Sequence, residues 1–346
     1  MLKVAVAGAT GYMGAELLRL LVGHPKVEIT AVTSERSAGG ELERLLPSLR
    51  GCLALTLEPL DPARLAKAAD LIFLALPHTH AMTVVPEILR AGKRVIDLSA
   101  DYRLKDPAVF SEWYRTPHTD HAHLPAAVYG LPELHRKEIA STALVANPGC
   151  YPAGAILALA PLLSRGLVAR DGIIVDAKSG VTGAGRTLDA RYLFTEANEN
   201  LQAYGVASHR HTPEMEQELS AITEGEVRLA FTPHLIPLNR GLLTTAYATV
   251  ARPTEPEALL EEFREFYARE PFIRVLPRGE FPQVRAVLAS NYCDIGLAVD
   301  RRVGRVIVIS AIDNLGKGGA AQAIQNLNIM LGWDERTGLE NPPVYP

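Results

Sequence analysis

Apart from Lys3, apolar residues fill Leu2 to Ala7, the pattern of a strand buried on both faces. A glycine turn follows, and Ala15 to Leu21 then carries apolar residues at helical spacing. The alternation recurs along the chain. Val27 to Thr33 reads as a strand, Asp70 to Leu76 as a strand with a helix after it over Ala81 to Ala91, and Arg94 to Leu98 as another strand. Strands alternating with helices predict a parallel, doubly wound sheet. The rhythm breaks after Ser99 and returns in a short apolar run, Ala143 to Ala146, that ends in Pro148-Gly149. Beyond this turn Ala155, Ile156, Leu159, Leu162 and Leu163 predict a helix, with Pro152 in its first turn where the missing N–H has no intrahelical partner to lose. Gly172 to Ala177, Val227 to His234, Leu243 to Arg252 and Arg305 to Ile312 alternate more and predict a mixed or antiparallel sheet, with helices over Glu255 to Arg269 and Ala320 to Leu331. The fold class is α/β: an N-terminal Rossmann-type doubly wound parallel sheet, followed by an α+β domain with a mixed sheet.

With 346 residues the chain has room for two domains, each with an ample core. Its 48% hydrophobic and 21% charged residues mark an ordinary globular composition. A net charge of −4 lacks the basic footprint expected for nucleic acid or an anionic membrane. No apolar run reaches spanning length, and the first strand is interrupted by Gly8 too soon for a signal peptide. The cysteines, Cys52, Cys150 and Cys293, are too few for a disulfide framework, so the expected location is a reducing one, the cytoplasm.

The turns carry the candidate chemistry. Gly8-Ala9-Thr10-Gly11-Tyr12-Met13-Gly14 lies between strand and helix, the setting in which backbone N–H groups and a helix N-terminus receive a pyrophosphate. After the second strand, Ser34 and Arg36 suit the 2′-phosphate of NADP, while Glu35 would suit a ribose diol. Arg103, beyond the strand that ends near Leu98, is placed to hold a carboxylate or phosphate. Cys150 falls at a helix N-terminus, where the positive end of the dipole favours a thiolate nucleophile. Asn147 and the helix N–H groups would hold an oxyanion. Lys178-Ser179-Gly180-Val181-Thr182-Gly183-Ala184-Gly185-Arg186 reads as a glycine-rich anion loop. His209-Arg210-His211 precedes a helix that begins near Pro213, and a histidine there is a natural acid/base. An imidazolium beside Cys150 would lower its pKa further. His118, Asp120, His121 and His123 crowd together, but no second ligand pair at zinc spacing accompanies them, so no metal is expected.

Together the glycine turn, Asp97-Leu98-Ser99-Ala100-Asp101-Tyr102-Arg103, Asn147-Pro148-Gly149-Cys150-Tyr151-Pro152, Lys178 to Arg186, His209-Arg210-His211-Thr212-Pro213-Glu214 and Asp313-Asn314-Leu315-Gly316-Lys317-Gly318 resemble the motifs of the N-acetyl-γ-glutamyl-phosphate reductase family, within the aspartate-semialdehyde dehydrogenase-like group. The resemblance runs nearly end to end. It implies NADPH-dependent reduction of an acyl phosphate to an aldehyde with phosphate release, Cys150 as nucleophile and His209 as acid/base. It places NADP(H) on Gly8, Thr10, Gly11, Tyr12, Met13, Gly14, Ser34, Glu35, Arg36 and Asn314. For the substrate it suggests Arg103, Asn147, Lys178, Ser179, Arg210, His211, Glu214 and Arg240. It also implies a cofactor domain of 1–147 with 318–346, a substrate and dimerisation domain of 148–317, and a homodimer or homotetramer. Pro77-His78-Thr79-His80 departs from the pattern, since the family often has glycine after Pro-His. A related reductase acts on aminoadipyl phosphate attached to a small acidic carrier protein, and the shared motifs do not separate the two substrates. A third reading, from another class, is a dinucleotide sensor without catalysis; the presence of both Cys150 and His209 weighs against it.

Overall fold

The first apolar runs are buried as their pattern requires: Val4, Ala5 and Val6 are wholly enclosed. The computed structural model describes residues 1–223 and 225–344. It divides into two units: Met1–Pro148 with Gly319–Asn341, and Gly149–Gly318 with the stretch from Pro342.

The first unit is built on a six-stranded sheet of β1 (Leu2–Ala7), β2 (Val27–Thr33), β3 (Leu71–Leu74), β4 (Arg94–Asp97), β5 (Val128–Tyr129) and β6 (Leu144–Ala146), in the order β2-β1-β3-β4-β6-β5. Every pairing in it is parallel. The connections supply α1 (Tyr12–Val22), α2 (Leu42–Leu45), α3 (Pro62–Ala68), α4 (Ala81–Arg90), α5 (Pro107–Tyr114) and α6 (Pro132–Ser141). Apolar pattern did not announce α5 or β5. α5 is instead marked by its cap: Asp106 accepts the N–H of Ala108, and Pro107 takes the first helical position.

The second unit begins with α7 (Cys150–Ser164), apolar all round and buried from Tyr151 to Leu163. It lies on a seven-stranded mixed sheet of β7 (Ile173–Gly180), β8 (Gln202–Ala203), β9 (Leu229–Ile236), β10 (Leu242–Thr249), β11 (Ile273–Val275), β12 (Cys293–Asp300) and β13 (Arg305–Ile312), ordered β11-β12-β13-β10-β7-β9-β8. β7 with β9 and β11 with β12 are parallel, the rest antiparallel. α8 (Phe194–Ala197), α9 (Thr212–Ala221) and α10 (Pro256–Phe266) complete the unit, and α7 packs on β10, β13 and α9. Sequence pattern missed β12, whose run is broken by Asp294 and Gly296; Asp294 is accommodated by Arg274, which donates to both its oxygens at 2.5 and 2.9 Å.

The last helix, α11 (Ala321–Met330), belongs to the first unit and packs on α1 and α6. Its amides are buried rather than solvated. Asn326 donates to the carbonyl of Gly130 at 2.9 Å and to Oδ1 of Asn147 at 3.0 Å, and Asn328 donates to the carbonyl of Thr337 at 2.9 Å. These bonds satisfy amide N–H groups that would otherwise be costly to enclose.

Candidate active site

The glycine turn between β1 and α1 is a cradle that only glycine can form. Gly8 has φ +83°, and a Cβ there would lie 2.3 Å from the carbonyl oxygen of Ala75; one at Gly14 would lie 2.3 Å from that of Gly8. The chain therefore doubles back tightly, and Gly11, at the N-cap of α1, lays no side chain over the helix end. Tyr12 is exposed and Met13 half-buried at the mouth of the helix. The hydroxyls of Thr10 and Ser34 meet at 2.9 Å, joining the turn to the end of β2. Arg36 is exposed beside them, whereas Glu35 turns back to accept the N–H of Leu60 at 2.7 Å. Helix N-terminus, bare turn and an exposed cation fit the pyrophosphate and 2′-phosphate of a dinucleotide.

Arg103 and Asn147 are brought together and enclosed. Arg103 donates from Nε to the carbonyl of Asn147 at 2.7 Å and from Nη2 to that of Leu98 at 2.9 Å. The amide of Asn147 donates to the carbonyl of Gly319 at 3.1 Å and accepts from Asn326. Asp97 is fully buried; burial and the charge of Asp101 push its carboxyl up to about 7, against the Ser99 hydrogen bonds and the Arg103 charge that pull it down. Asp101 accepts the N–H of Thr79 at 2.6 Å and of Met82 at 3.1 Å, so it pins the start of α4. Thr79 has φ +72°, a left-handed conformation that glycine adopts without strain, at the position where the sequence departs from its resembled family. The histidine cluster is spent on local bonds: His118 with the carbonyl of Asp101, His121 with that of His118, and His123 with Asp120. Among the described residues no group of three or more His, Cys, Asp or Glu is placed to hold a metal ion.

In the second unit Cys150 is the first residue of α7, half-buried, after the N-cap Gly149. Helix geometry leaves the first N–H groups without intrahelical partners, and Pro152 carries none, so the positive end of α7 is concentrated on the cysteine and Tyr151. Tyr151 packs edge-on to His209, ring centroids 5.6 Å apart, and Tyr204 and Phe231 enclose the same imidazole at 5.4 and 5.3 Å. Tyr204 donates to the Tyr151 oxygen at 3.0 Å, and Tyr151 donates to the carbonyl of His234 at 3.2 Å. Burial pushes both phenols well above their usual range, so they remain donors. Sequence reading passed over these rings, since no spacing rule joins Tyr151, Tyr204 and Phe231.

His209 accepts the N–H of His211 on Nδ1 at 3.2 Å, which leaves the proton of the neutral ring on Nε2. Burial, then the charge of Arg210, holds its pKa down to about 4. The ring is thus neutral at physiological pH, and the expected imidazolium beside Cys150 is corrected. Arg210 itself is exposed, and His211 lies 4.8 Å from His209 between centroids.

The segment from Lys178 is not all loop. Lys178, Ser179 and Gly180 prolong β7, so successive side chains take opposite faces. Ser179 is buried and donates to the carbonyl of Gly180 at 3.1 Å, whereas Lys178 pairs with Asp176 at 2.8 Å. Arg240 pairs with the buried Asp313 at 2.9 Å. Asn314 accepts the N–H of Gly241 at 2.7 Å and donates to Thr182 at 3.0 Å, holding the turn after β7 inside this unit. The carboxylate of Glu214, in the first turn of α9, is buried and accepts the N–H of Gly149 at 2.8 Å.

Both units match known families. Residues 3–142 match the semialdehyde dehydrogenase NAD-binding domain, and residues 150–314 the semialdehyde dehydrogenase dimerisation domain. Two solved structures share the fold over nearly the whole chain. Aspartate semialdehyde dehydrogenase II of Vibrio cholerae, complexed with ASA, has TM-score 0.72 at 18% identity, covering 96% of this chain and 98% of that one. The Candida albicans enzyme, solved with NADP, has TM-score 0.69 at 19% identity, covering 95% and 99%. Fold and paired domains thus define the class as the semialdehyde dehydrogenases. Within it, the proteins named N-acetyl-gamma-glutamyl-phosphate reductase from Geobacter metallireducens and Pelotomaculum thermopropionicum are 54% and 52% identical, over 100% and 99% of both chains. The chain belongs to the N-acetyl-gamma-glutamyl-phosphate reductase family.

Proposed function

We propose that this protein reduces N-acetyl-γ-glutamyl phosphate to N-acetylglutamate semialdehyde with NADPH, releasing phosphate, as a step of arginine biosynthesis. The observation that carries the reading is Cys150 at the first turn of the buried helix α7, with the His209 ring against the adjacent Tyr151. In this mechanism the Cys150 thiolate attacks the acyl carbon: the C–S bond forms, the C–O bond to phosphorus breaks, and phosphate leaves with the electron pair. N–H groups at the start of α7 stabilise the oxyanion. When bound, NADPH supplies the hydride that takes the thioester to the aldehyde level. His209, neutral with its proton on Nε2, donates a hydrogen bond to the oxyanion of the thiohemiacetal and keeps its proton; the oxyanion reforms the carbonyl as the C–S bond breaks and the thiolate departs.

The cradle of Gly8, Thr10, Gly11, Tyr12, Met13 and Gly14 holds the pyrophosphate, and Ser34 with Arg36 the 2′-phosphate; the turned-away Glu35 supports NADP over NAD. Arg210, His211, Lys178 and Arg240 are the groups we assign to the substrate carboxylate and phosphate. Arg103 and Asn147 are held by enclosed bonds within the first unit. The dimerisation-domain match supports a homo-oligomer, dimer or tetramer, which sedimentation velocity resolves. We assign the enzyme to the cytoplasm; among the described residues no helix is long and apolar enough to cross a membrane.

The test is the reverse assay, in which NADP reduction requires aldehyde and phosphate together. A sensor would bind NADP without turnover, and that result ends the reading. Faster reduction of carrier-bound aminoadipyl phosphate than of acetylglutamyl phosphate would move the protein to lysine synthesis.

A further inference from the structure

The end of α7 is gripped from two sides. From α9, Glu214 accepts the N–H of the N-cap residue Gly149 at 2.8 Å. Within one helix, a capping box uses a glutamate at the third helical position to reach back to its own N-cap N–H. Here the third residue of α9 does this for a different helix, and that helix begins with the cysteine. On the other side the turn after β13 closes against Cys150. Asp313 accepts the N–H groups of Leu315 and Gly316 on its carboxylate, at 2.8 and 3.1 Å, and that of Gly318 on its carbonyl at 2.9 Å. The last bond spans five residues, a π-turn that delivers the Gly318 backbone onto the cysteine. A Cβ at Gly318 would lie 2.8 Å from the Cβ and 3.2 Å from the Cα of Cys150.

We infer that Glu214 and Gly318 form a clamp that sets the position of Cys150: Glu214 is a positioning residue acting through the Gly149 N–H, and Gly318 a close-approach surface for the cysteine backbone. Glu214 therefore does not belong among the substrate ligands. Its role is to fix the start of α7 relative to the His209–Thr212 turn, which runs directly into α9. Displacing a nucleophile by about 1 Å can cost on the order of a hundredfold in rate, so small errors in the clamp are legible in turnover. The inference deepens the proposed mechanism and rests on Cys150 being its nucleophile.

The experiment compares Glu214→Gln, Glu214→Ala and Gly318→Ala in the full chain. Stopped-flow reduction gives kcat and KM, and iodoacetamide at one pH gives Cys150 reactivity without any substrate. Glutamine keeps the acceptor oxygen, so Glu214→Gln should retain kcat within about threefold, whereas Glu214→Ala should lose roughly tenfold or more. KM and NADPH affinity should move little in either. Gly318→Ala should change the alkylation rate and lower kcat even if Glu214→Ala proves too unstable to purify. The inference is overturned if Glu214→Ala and Gly318→Ala keep wild-type kcat and alkylation, or if Glu214→Gln is damaged as much as Glu214→Ala. Should the wild type alkylate selectively at Cys150 yet show no reductase activity, the proposed function fails while the alkylation arm still judges the clamp.

Discussion

His209 should remain uncharged down to pH values at which ordinary histidines are protonated. A free imidazole titrates near 6.5, and in the fold the value is held to about 4, chiefly by burial among Tyr151, Tyr204 and Phe231 and secondly by the Arg210 charge. A base whose folded value is depressed is protonated more readily in the unfolded chain. Its contribution to stability is therefore complete above about pH 6.5 and declines as pH falls toward 4. The full difference is worth about 3 kcal/mol as an upper figure, from about 1.4 kcal/mol per tenfold change in proton affinity. The direct assay is NMR of the imidazole Cε1 proton, assigned with His209→Asn. The midpoint should lie near 4 and rise in Arg210→Ala, whose side chain is the second cause of the shift. A neutral ring also cannot stabilise a thiolate by charge. His209→Asn should then cut turnover by roughly a hundredfold, the scale of a lost oxyanion donor, yet leave the pH midpoint of iodoacetamide alkylation where it was. An NMR midpoint at or above 6.5, or an upward move of the alkylation midpoint in His209→Asn, would refute this reasoning and restore the imidazolium.

Cys150→Ser should fold, bind NADPH and lose nearly all reductase activity, because a serine hydroxyl is scarcely ionised there; Cys52→Ser and Cys293→Ser should turn over almost as wild type. Arg36→Ala should weaken NADPH by about ten- to a hundredfold in a titration while leaving NADH nearly unchanged, the size of a lost charge-assisted hydrogen bond. Equal losses for both would show that Arg36 does not meet the 2′-phosphate. Thr79→Gly should stabilise the first unit by about 0.5–1 kcal/mol in urea unfolding. Relief of the left-handed backbone at φ +72° outweighs the greater freedom of an unfolded glycine, and a destabilised variant would contradict that balance.

Much of the fold was legible because burial imposes local periodicity. β1 and β2 have the limits their apolar runs suggest, and β13 runs from Arg305 to Ile312 as read. Elements whose side chains are satisfied by distant partners were not legible. β12 contains Asp294, which only Arg274 on another strand makes tolerable, and the buried Asn326 of α11 would be read as solvated without Gly130 and Asn147 beside it.

The same division holds at the site. Residue type and neighbourhood along the chain determined that a glycine turn opens α1, that a cysteine opens α7, and that His209 and His211 precede α9, because each depends on the backbone within a few residues. Tertiary structure alone decided the chemical state of these groups. Desolvation by three rings drawn from separate segments leaves His209 neutral, and the His211 N–H selects its tautomer. Alternation along β7 turns Lys178 and Ser179 to opposite faces, and packing of α9 against α7 gives Glu214 the N–H of Gly149. Charge, tautomer and hydrogen-bond partner depend on what surrounds a group in space, and a sequence records only what precedes and follows it.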